Sequence, residues 1–381
     1  MPKEPQIEIL SYKRRQRLFQ FLVLVFLIAL PAMIFYTTGY RLNFENSDST
    51  FITTGGMYVT TDTLEVDVYV DEKQVEKPRL FRSAYYIQNI EAGMHRIVVQ
   101  KSDLHTWVKE LPVDPRIVIE ASAFNMPVKP NIRPITEFTT ADNQPVFMMA
   151  SSAVNVFAKA TSTVTFIATT TVASSSLKTN EEYIFVDSLF GTSSLSRRSA
   201  ISRLLDEVDR FRFATTTDTQ STTTKEVIVK KGDVRLVYKN NDVYAVWQNG
   251  LNNIPYYYCV GESDFISTSE RFGEHVAEAI FGQDASINTV LFESDRVCRL
   301  EVKLNRLGQD VYYYDFFPNS SDLVLLLLSD GLYVTEIDDR AWQNTQLLYP
   351  GDNFEVVVEN DIIYIKEDDS YFEIITEIET E

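Results

Sequence analysis

The sequence predicts a mainly β protein that begins with one transmembrane helix and continues as a small β-sandwich and a larger β-propeller-like domain with one inserted helix. Three observations predict this fold class. A nineteen-residue apolar run starts at Leu18, short segments of alternating apolar and polar residues begin near Gly55, and strand–turn–strand units then recur about every 40–50 residues. The length of 381 residues allows two or three domains.

The apolar run ends at Tyr36, and four basic residues precede it directly, namely Lys13, Arg14, Arg15 and Arg17. Nineteen helical residues span roughly 28 Å at about 1.5 Å per residue, which matches a hydrocarbon core of about 30 Å. Because basic residues resist translocation, we expect residues 1–17 to be a cytoplasmic tail and residues 18–40 to cross the cell membrane once. The bulk of the chain would then be extracytoplasmic.

A cleaved signal peptide is the alternative interpretation of this run. Signal peptides usually have an apolar region of about 7–15 residues that ends at a pair of small residues. The best candidate here, Leu30-Pro31-Ala32, begins with a bulky residue and is followed by four more apolar residues. The pattern therefore favours an uncleaved anchor.

The charge of the chain limits its partners. The formal net charge is −19, and the exported part is more acidic still because the first 20 residues are net positive. Such a surface repels nucleic acid, so we expect no nucleic-acid partner.

The chain has two cysteines, Cys259 and Cys298, and no CxxC motif. Both lie in strand-like segments. A disulfide between them would close a loop of about 40 residues and would stabilise the fold by about 4 kcal/mol in the entropic model. Two buried free thiols are the other possibility.

Residues 43–126 are predicted to form the β-sandwich. Apolar and polar residues alternate in short runs that turn residues separate, namely GGMYVTT, EVDVYVDEK, SAYYIQNI, HRIVVQKS and TWVKELPV. In order along the chain come VYVDEK at 68–73, a Lys77-Pro78 loop, IEAGMHRIVV at 90–99 and LHTW at 104–107. This order resembles a PEGA domain, a small surface β-domain of exported bacterial and archaeal proteins. Glu72 replaces the turn glycine of that family, which predicts a different turn, whereas Gly93 suits a positive φ. We expect Trp107 to lie in the sandwich core.

A proline-rich joint, PVKPNIRP at 127–134, separates the sandwich from residues 135–381. Repeated hairpins there predict a propeller-like head, and the residues FPNSSDL and SDGLYV at 317–334 resemble a blade of WD40-like and TolB-like propellers. Ser/Thr-rich tracts at 161–176 and 214–224 are predicted as surface loops, and residues 194–213 as a helix. We expect the strand at 372–375 to close the head against residues 145–149.

Motifs for catalysis are missing. No nucleotide-binding, nucleophile-elbow or helical zinc motif occurs, so we expect no catalytic residues, no cofactor and no metal site. His95 and His105 are predicted at solvent-facing strand positions and His275 on a short helix. The acidic clusters at 338–339 and 367–369 are predicted as solvated turns, and the aromatic clusters at 256–258 and 312–317 as half core, with glycan stacking as the alternative.

These features favour a non-enzymatic, membrane-anchored cell-surface protein. Residues 18–40 would bind the lipid bilayer, and the extracytoplasmic β domains would serve in cell-envelope contact, with cell-wall glycan or a surface protein as partner. The alternative is an extracytoplasmic hydrolase that acts on glycan with paired carboxylates on propeller loops. Two converging buried carboxylates in a deep pocket would favour that alternative.

Overall fold

The computed structural model describes residues 12–38, 40–42, 51–62, 65–78, 84–135, 137–139, 145–150, 183–186, 189–190, 229–262, 264–282, 290–293, 296–368 and 370–376. Within them lie the helices α1 (Tyr12–Thr37), α2 (Phe265–Phe272) and α3 (Glu274–Phe281), and a short 3-10 helix at Tyr256–Tyr258. The predicted helix at 194–213 and both Ser/Thr-rich tracts lie outside the described residues.

Helix α1 contains the whole apolar run, and all four basic residues of its flank lie in its first turns. None of its side chains is buried against the rest of the molecule, and the helix passes through Pro31. Its most apolar window has a mean hydropathy of 2.7, and it is the one helix of the described residues that is long and apolar enough to cross a membrane. The predicted N-terminal apolar helix is therefore confirmed.

Eight strands follow α1: β1 (Tyr40–Leu42), β2 (Phe51–Thr61), β3 (Asp67–Val70), β4 (Lys73–Gln74), β5 (Ala84–Glu91), β6 (Gly93–Gln100), β7 (Trp107–Val113) and β8 (Val118–Ala123). Strand β2 pairs with β5 and β8, and with β1 over its first residues, while β4, β3, β6 and β7 form a second sheet. The side chains of Met57, Tyr85, Ile97 and Trp107 are buried in the core they share.

The turn after β3 corrects one prediction about the sandwich. Asp71 and Glu72 have φ angles of 48° and 67°, the mirror-image geometry of a two-residue hairpin turn. Glu72 therefore adopts the same left-handed backbone that a glycine would adopt there, and the prediction that Glu72 changes the turn is wrong. Gly93 has a φ of 151°, as its sequence position predicted.

The remaining strands are β9 (Ile132–Pro134), β10 (Glu137–Thr139), β11 (Pro145–Ala150), β12 (Tyr183–Phe185), β13 (Val229–Lys231), β14 (Val234–Lys239), β15 (Asp242–Trp247), β16 (Val290–Glu293), β17 (Arg296–Arg299), β18 (Glu301–Lys303), β19 (Tyr313–Phe316), β20 (Leu323–Leu327), β21 (Gly331–Glu336), β22 (Thr345–Pro350), β23 (Glu355–Glu359), β24 (Ile362–Glu367) and β25 (Ser370–Ile374). They include three four-stranded antiparallel sheets, in the orders β13-β14-β15-β18, β19-β20-β21-β22 and β23-β24-β25-β9. The mainly β prediction is confirmed, but the described strands form no closed propeller.

The partner predicted for the C-terminal strand is wrong. Phe372 pairs with Pro134 and Ile374 with Ile132, so β25 joins β9 in the joint, while β11 pairs with β10 and β12. Prolines favour extended backbone in themselves and in the residue before them, which makes the joint a ready edge strand.

The sandwich and the later sheets share one hydrophobic core. Buried residues of the sandwich and buried residues such as Leu325, Val334 and Leu348 belong to the same cluster. Strand β7, which carries Trp107, lies at this junction, where it contacts residues 336–344.

Candidate functional site

A buried polar network joins the sandwich to the C-terminal sheets, and we call it the Lys109 network. The fully buried Lys109 Nζ donates to Glu336 Oε1 at 2.7 Å and to the Asp338 carbonyl at 2.7 Å, and it lies 3.3 Å from Asp338 Oδ2. Trp107 Nε1 donates to the other Glu336 oxygen at 3.0 Å, and Asn344 donates to Glu336 Oε1 from its backbone and side chain, both at 2.8 Å.

Arg340 completes the network on the side of Asp338. Its guanidinium forms a bidentate ion pair with the Asp338 carboxylate, with Nε–Oδ1 and Nη2–Oδ2 distances of 3.0 and 2.8 Å. Its Nη2 also donates to the Glu120 carbonyl at 2.7 Å. The same guanidinium lies 4.5 Å from the centre of the Tyr256 ring. The prediction of a solvated turn at Asp338-Asp339 is therefore wrong, because both residues are buried and Asp338 is paired with Lys109 from the sandwich and with the neighbouring Arg340.

Asp339 forms a second buried pair with Arg299, whose Nη2 donates to Asp339 Oδ1. His275, which lies on α3 as predicted, places Nε2 2.7 Å from the Asp339 carbonyl oxygen. In the other acidic turn, Glu367 and Asp368 are exposed as predicted at the hairpin between β24 and β25, while Asp369 lies outside the described residues.

The pKa values of the two central carboxyl groups move in opposite directions. Burial raises the pKa of Glu336 above its ordinary value, and the Lys109 charge opposes that rise. Burial also acts on Asp338, but the charges of Arg340 and Lys109 outweigh it and lower the pKa of that carboxyl. Both carboxyl groups are almost completely buried, and each contacts a buried cation.

An open groove of about 1260 Å³ lies beside this network. We call it the Trp342 groove. One wall carries Ala341, Trp342 and Gln343, and the others are supplied by the β14–β15 hairpin, strands β17 and β18, and helix α3. Trp342 is 37% exposed, although its Nε1 donates to the Val108 carbonyl at 2.9 Å.

The charged side chains of the Trp342 groove are largely neutralised in pairs. Arg299 pairs with Asp339, Lys239 with Glu301, and Lys303 Nζ with Asp242 Oδ2 at 2.5 Å. Hydrogen bonds from Lys303 and Arg306 outweigh the effect of burial and lower the pKa of Asp242, which keeps that carboxylate charged. Lys239 Nζ lies 4.3 Å from the centre of the Tyr244 ring, and the buried Gln343 side chain already accepts from the Asn305 backbone amide and donates to the Ile337 carbonyl. What the groove offers to a ligand is therefore the Trp342 ring and the exposed amide side chains of Asn240 and Asn305.

A smaller groove of about 560 Å³ lies between the sandwich and α2. Arg271 crosses it, with ion-pair distances of 2.7 Å to Asp114 and 2.6 Å to Glu262. Cys259, which lines this groove, is bonded to the buried Cys298. The disulfide joins Cys259, which directly follows the 3-10 helix, to Cys298 on strand β17.

The histidines of the sandwich are not the solvent-facing strand residues that we expected. His95 lies on β6, but its ring is mostly buried between Asp71 Oδ2, 2.5 Å from Nδ1, and the Glu91 carbonyl, 2.6 Å from Nε2. His105 is half-buried in the turn before β7. No cluster of ligands that could hold a metal occurs among the described residues.

The aromatic clusters are more buried than an exposed glycan platform would be. Tyr257 and Tyr258 are buried in the 3-10 helix, and Tyr257 donates to Asp322 Oδ1 at 2.6 Å. Tyr314, Phe316 and Phe317 are buried as well. The exposed ring that sequence reasoning missed is Trp342, for which the local pattern RAWQN offers no signal.

Lys109 was missed too, although its position carried a signal. In WVKELPV the residues Trp107, Lys109, Leu111 and Val113 share one face of β7, and all four are buried. A lysine on the apolar face of a strand predicts a buried carboxylate partner, but the distant Glu336 could not be identified from the pattern.

No known protein family matches the chain, and no curated protein matches it. Among solved structures, a protein from Bacteroides fragilis described as membrane-associated and of unknown function is 12% identical, with 84% of this chain and 98% of that chain covered. The TM-score of that superposition is 0.16, so the two structures share no demonstrated fold.

Proposed function

We propose that the protein is a non-enzymatic, single-pass membrane protein of the cell surface that binds neutral glycan in the Trp342 groove. Residues 1–17 would be cytoplasmic, and the PEGA-like sandwich would connect the anchor to a propeller-like head. The single observation that carries this proposal is a wide groove with a half-exposed tryptophan and paired charges.

The chemistry of the groove favours a sugar over a charged ligand. Aromatic rings stack on the apolar faces of sugar rings, and amide groups both donate hydrogen bonds to hydroxyls and accept them. A charged ligand would instead compete with ion pairs that already exist. Glu278 is the one lining carboxylate for which no pairing is described, and it is exposed.

The groove wall is held in place before any ligand arrives. Trp342 and Asn344 both donate to the Val108 carbonyl, at 2.9 and 3.0 Å, and Asn344 also donates to the buried Glu336. A preformed wall lowers the entropic cost of binding. The Lys109 network therefore has a function in this proposal, because it keeps the tryptophan ring in a fixed orientation.

The hydrolase alternative has weaker support. Its requirement is a pair of carboxyl groups beside a substrate site, with room for a sugar between them. The converging pair in the described residues, Glu336 and Asp338, is occupied by Lys109 and Arg340.

Tryptophan fluorescence tests glycan binding directly, because the chain has three tryptophans and the other two, Trp107 and Trp247, are buried. The full-length protein in detergent micelles is titrated with N-acetylglucosamine oligomers and other neutral oligosaccharides. We expect a saturable change in the fluorescence of the unchanged protein. Because Trp342→Ala removes the reporting ring, the affinities of both proteins are compared by isothermal titration calorimetry, and the variant should bind about tenfold more weakly, since ring stacking contributes about 1.5 kcal/mol.

Trp247→Phe is the matched control and should bind as the unchanged protein does. Equal affinity of Trp342→Ala, or no binding by any oligosaccharide, would contradict glycan binding at this groove. Release of new reducing ends from the oligosaccharides would favour the hydrolase.

Orientation in the membrane has a separate test. A cysteine placed at Ser47 should react with a membrane-impermeant maleimide in intact cells, and one at Ser11 should not, because Cys259 and Cys298 are bonded to each other. The reverse labelling would contradict the orientation, and a soluble mature form would contradict the anchor.

A further inference from the structure

Helix α1 joins the sandwich at one end of its two sheets, which we call the anchor end. Tyr40 of β1 pairs with Thr53 of β2, and the next residue, Thr54, pairs with Glu91 at the end of β5. In the second sheet, Gly93 pairs with Val113. The turns at 91–94 and 114–118 therefore lie at the anchor end of the two sheets.

This end lies close to helix α1. Two residues lie between Thr37 and Tyr40, and three steps of an extended chain at about 3.5 Å each span roughly 10 Å or less. The rings of Phe35 and Tyr40 stack with their centres 5.0 Å apart. A sandwich tied so closely to a membrane-spanning helix cannot move far from the bilayer surface.

Three exposed apolar side chains lie at this end, and two of them, Ile117 and Val118, also line the smaller groove beside α2. Met94, Ile117 and Val118 are 45%, 41% and 43% exposed, and they come from the two turns just described. Arg116 lies among them, donates to the Tyr40 hydroxyl at 3.0 Å and holds its guanidinium 5.1 Å from the centre of the Tyr40 ring.

The turn at 114–118 is held rigidly against β2. The Arg116 amide donates to the Thr54 carbonyl at 2.9 Å, and the Gly56 amide donates to the Ile117 carbonyl at 3.0 Å. A Cβ on Gly55 would lie 2.3 Å from the Asp114 carbonyl oxygen, so this close approach requires glycine. The apolar side chains are thus presented by a fixed surface.

We propose that Met94, Arg116, Ile117 and Val118 form a membrane-contact surface that lies in the interfacial region of the bilayer crossed by α1. The inference rests on the proposed anchoring and adds a second point of contact with the same membrane. Apolar side chains enter the interface favourably, and an arginine beside a tyrosine suits the level of the lipid phosphates. This contact would fix the tilt of the head and the direction in which the Trp342 groove opens.

The test uses full-length protein reconstituted in vesicles of phosphatidylcholine and phosphatidylglycerol. Single cysteines at Met94 or Ile117 carry an environment-sensitive fluorophore, and the native cysteines stay bonded. Val128 is the matched control, because it is 54% exposed and lies beside Asp103, at the opposite end of the β6–β7 ladder. Seven residues of β7 separate the two ends by roughly 20 Å.

Lipids with a spin label near the headgroup should quench the probes at positions 94 and 117 several-fold more strongly than the probe at position 128. Met94→Glu should reduce the quenching at position 117. Equal quenching at the three positions in vesicles that float with the protein would overturn the membrane contact and leave the anchor intact. A probe at 117 that is buried but not quenched by lipid would also overturn it, because a protein would then cover the surface. Loss of flotation would instead refute the proposed anchoring.

Discussion

Replacing Lys109 with methionine should destabilise the protein by about 3–5 kcal/mol, because it leaves a buried carboxylate without its cation. Lys109 Nζ contacts Glu336 at 2.7 Å, and both side chains are almost completely buried. Methionine fills most of the space of the lysine stem, so the loss would arise from charge and not from a cavity. We expect a value near 3 kcal/mol, since Trp107 and Asn344 still donate to Glu336.

Unfolding of the full-length protein in urea, followed by tryptophan fluorescence, measures this change. Glu336→Gln in the Lys109→Met background should recover part of the loss, because it removes the uncompensated charge and keeps an acceptor for Trp107. Lys101→Met is the control, since Lys101 pairs with Glu65 at 3.0 Å at the surface and should scarcely change the midpoint.

Two results would refute the reasoning. A Lys109→Met variant with the same midpoint as Lys101→Met would show that the buried pair contributes no net stability. A double variant that is less stable than Lys109→Met alone would show that charge compensation is not the cause.

Three further predictions concern pH, a turn and the disulfide. Because the pKa of Asp338 is lowered in the fold, its ionised carboxylate contributes stability above pH 3.8, and this stability is lost as the pH falls below that value. Asp338→Asn should therefore flatten the decline of the unfolding free energy on the acid side, and an unchanged slope would contradict this. Glu72→Gly should stabilise the hairpin by up to about 1 kcal/mol because glycine accepts a φ of 67° without strain, whereas Lys73→Gly in β4 should destabilise it, and the denaturation midpoints would show both. Unreduced mass analysis should find no alkylatable thiol at Cys259 or Cys298, and two alkylated thiols would disprove the bond.

Local sequence determined the elements that depend on local periodicity. An apolar run of bilayer length predicted α1, and alternation with period two predicted the strands of the sandwich and the buried position of Trp107. The positive φ at Gly93 and the exposed turn at Glu367 also followed from local rules of turn chemistry. Each of these features is set by residues that lie a few positions apart.

The tertiary structure alone decided which distant segments meet. Asp338, beside Arg340, resembles any solvated turn aspartate until the fold brings Lys109 to it, and Lys109 lies 229 residues away in the chain. The choice of β9 as partner of β25 likewise joins positions about 240 residues apart, where several strands of equal pattern compete. The Trp342 groove likewise combines residues of the β14–β15 hairpin, helix α3, strands β17 and β18 and the loop at 341–343, which lie far apart in the chain. Periodicity predicts which face of a segment is buried, but the partner is selected by packing and charge compensation, which no local pattern records.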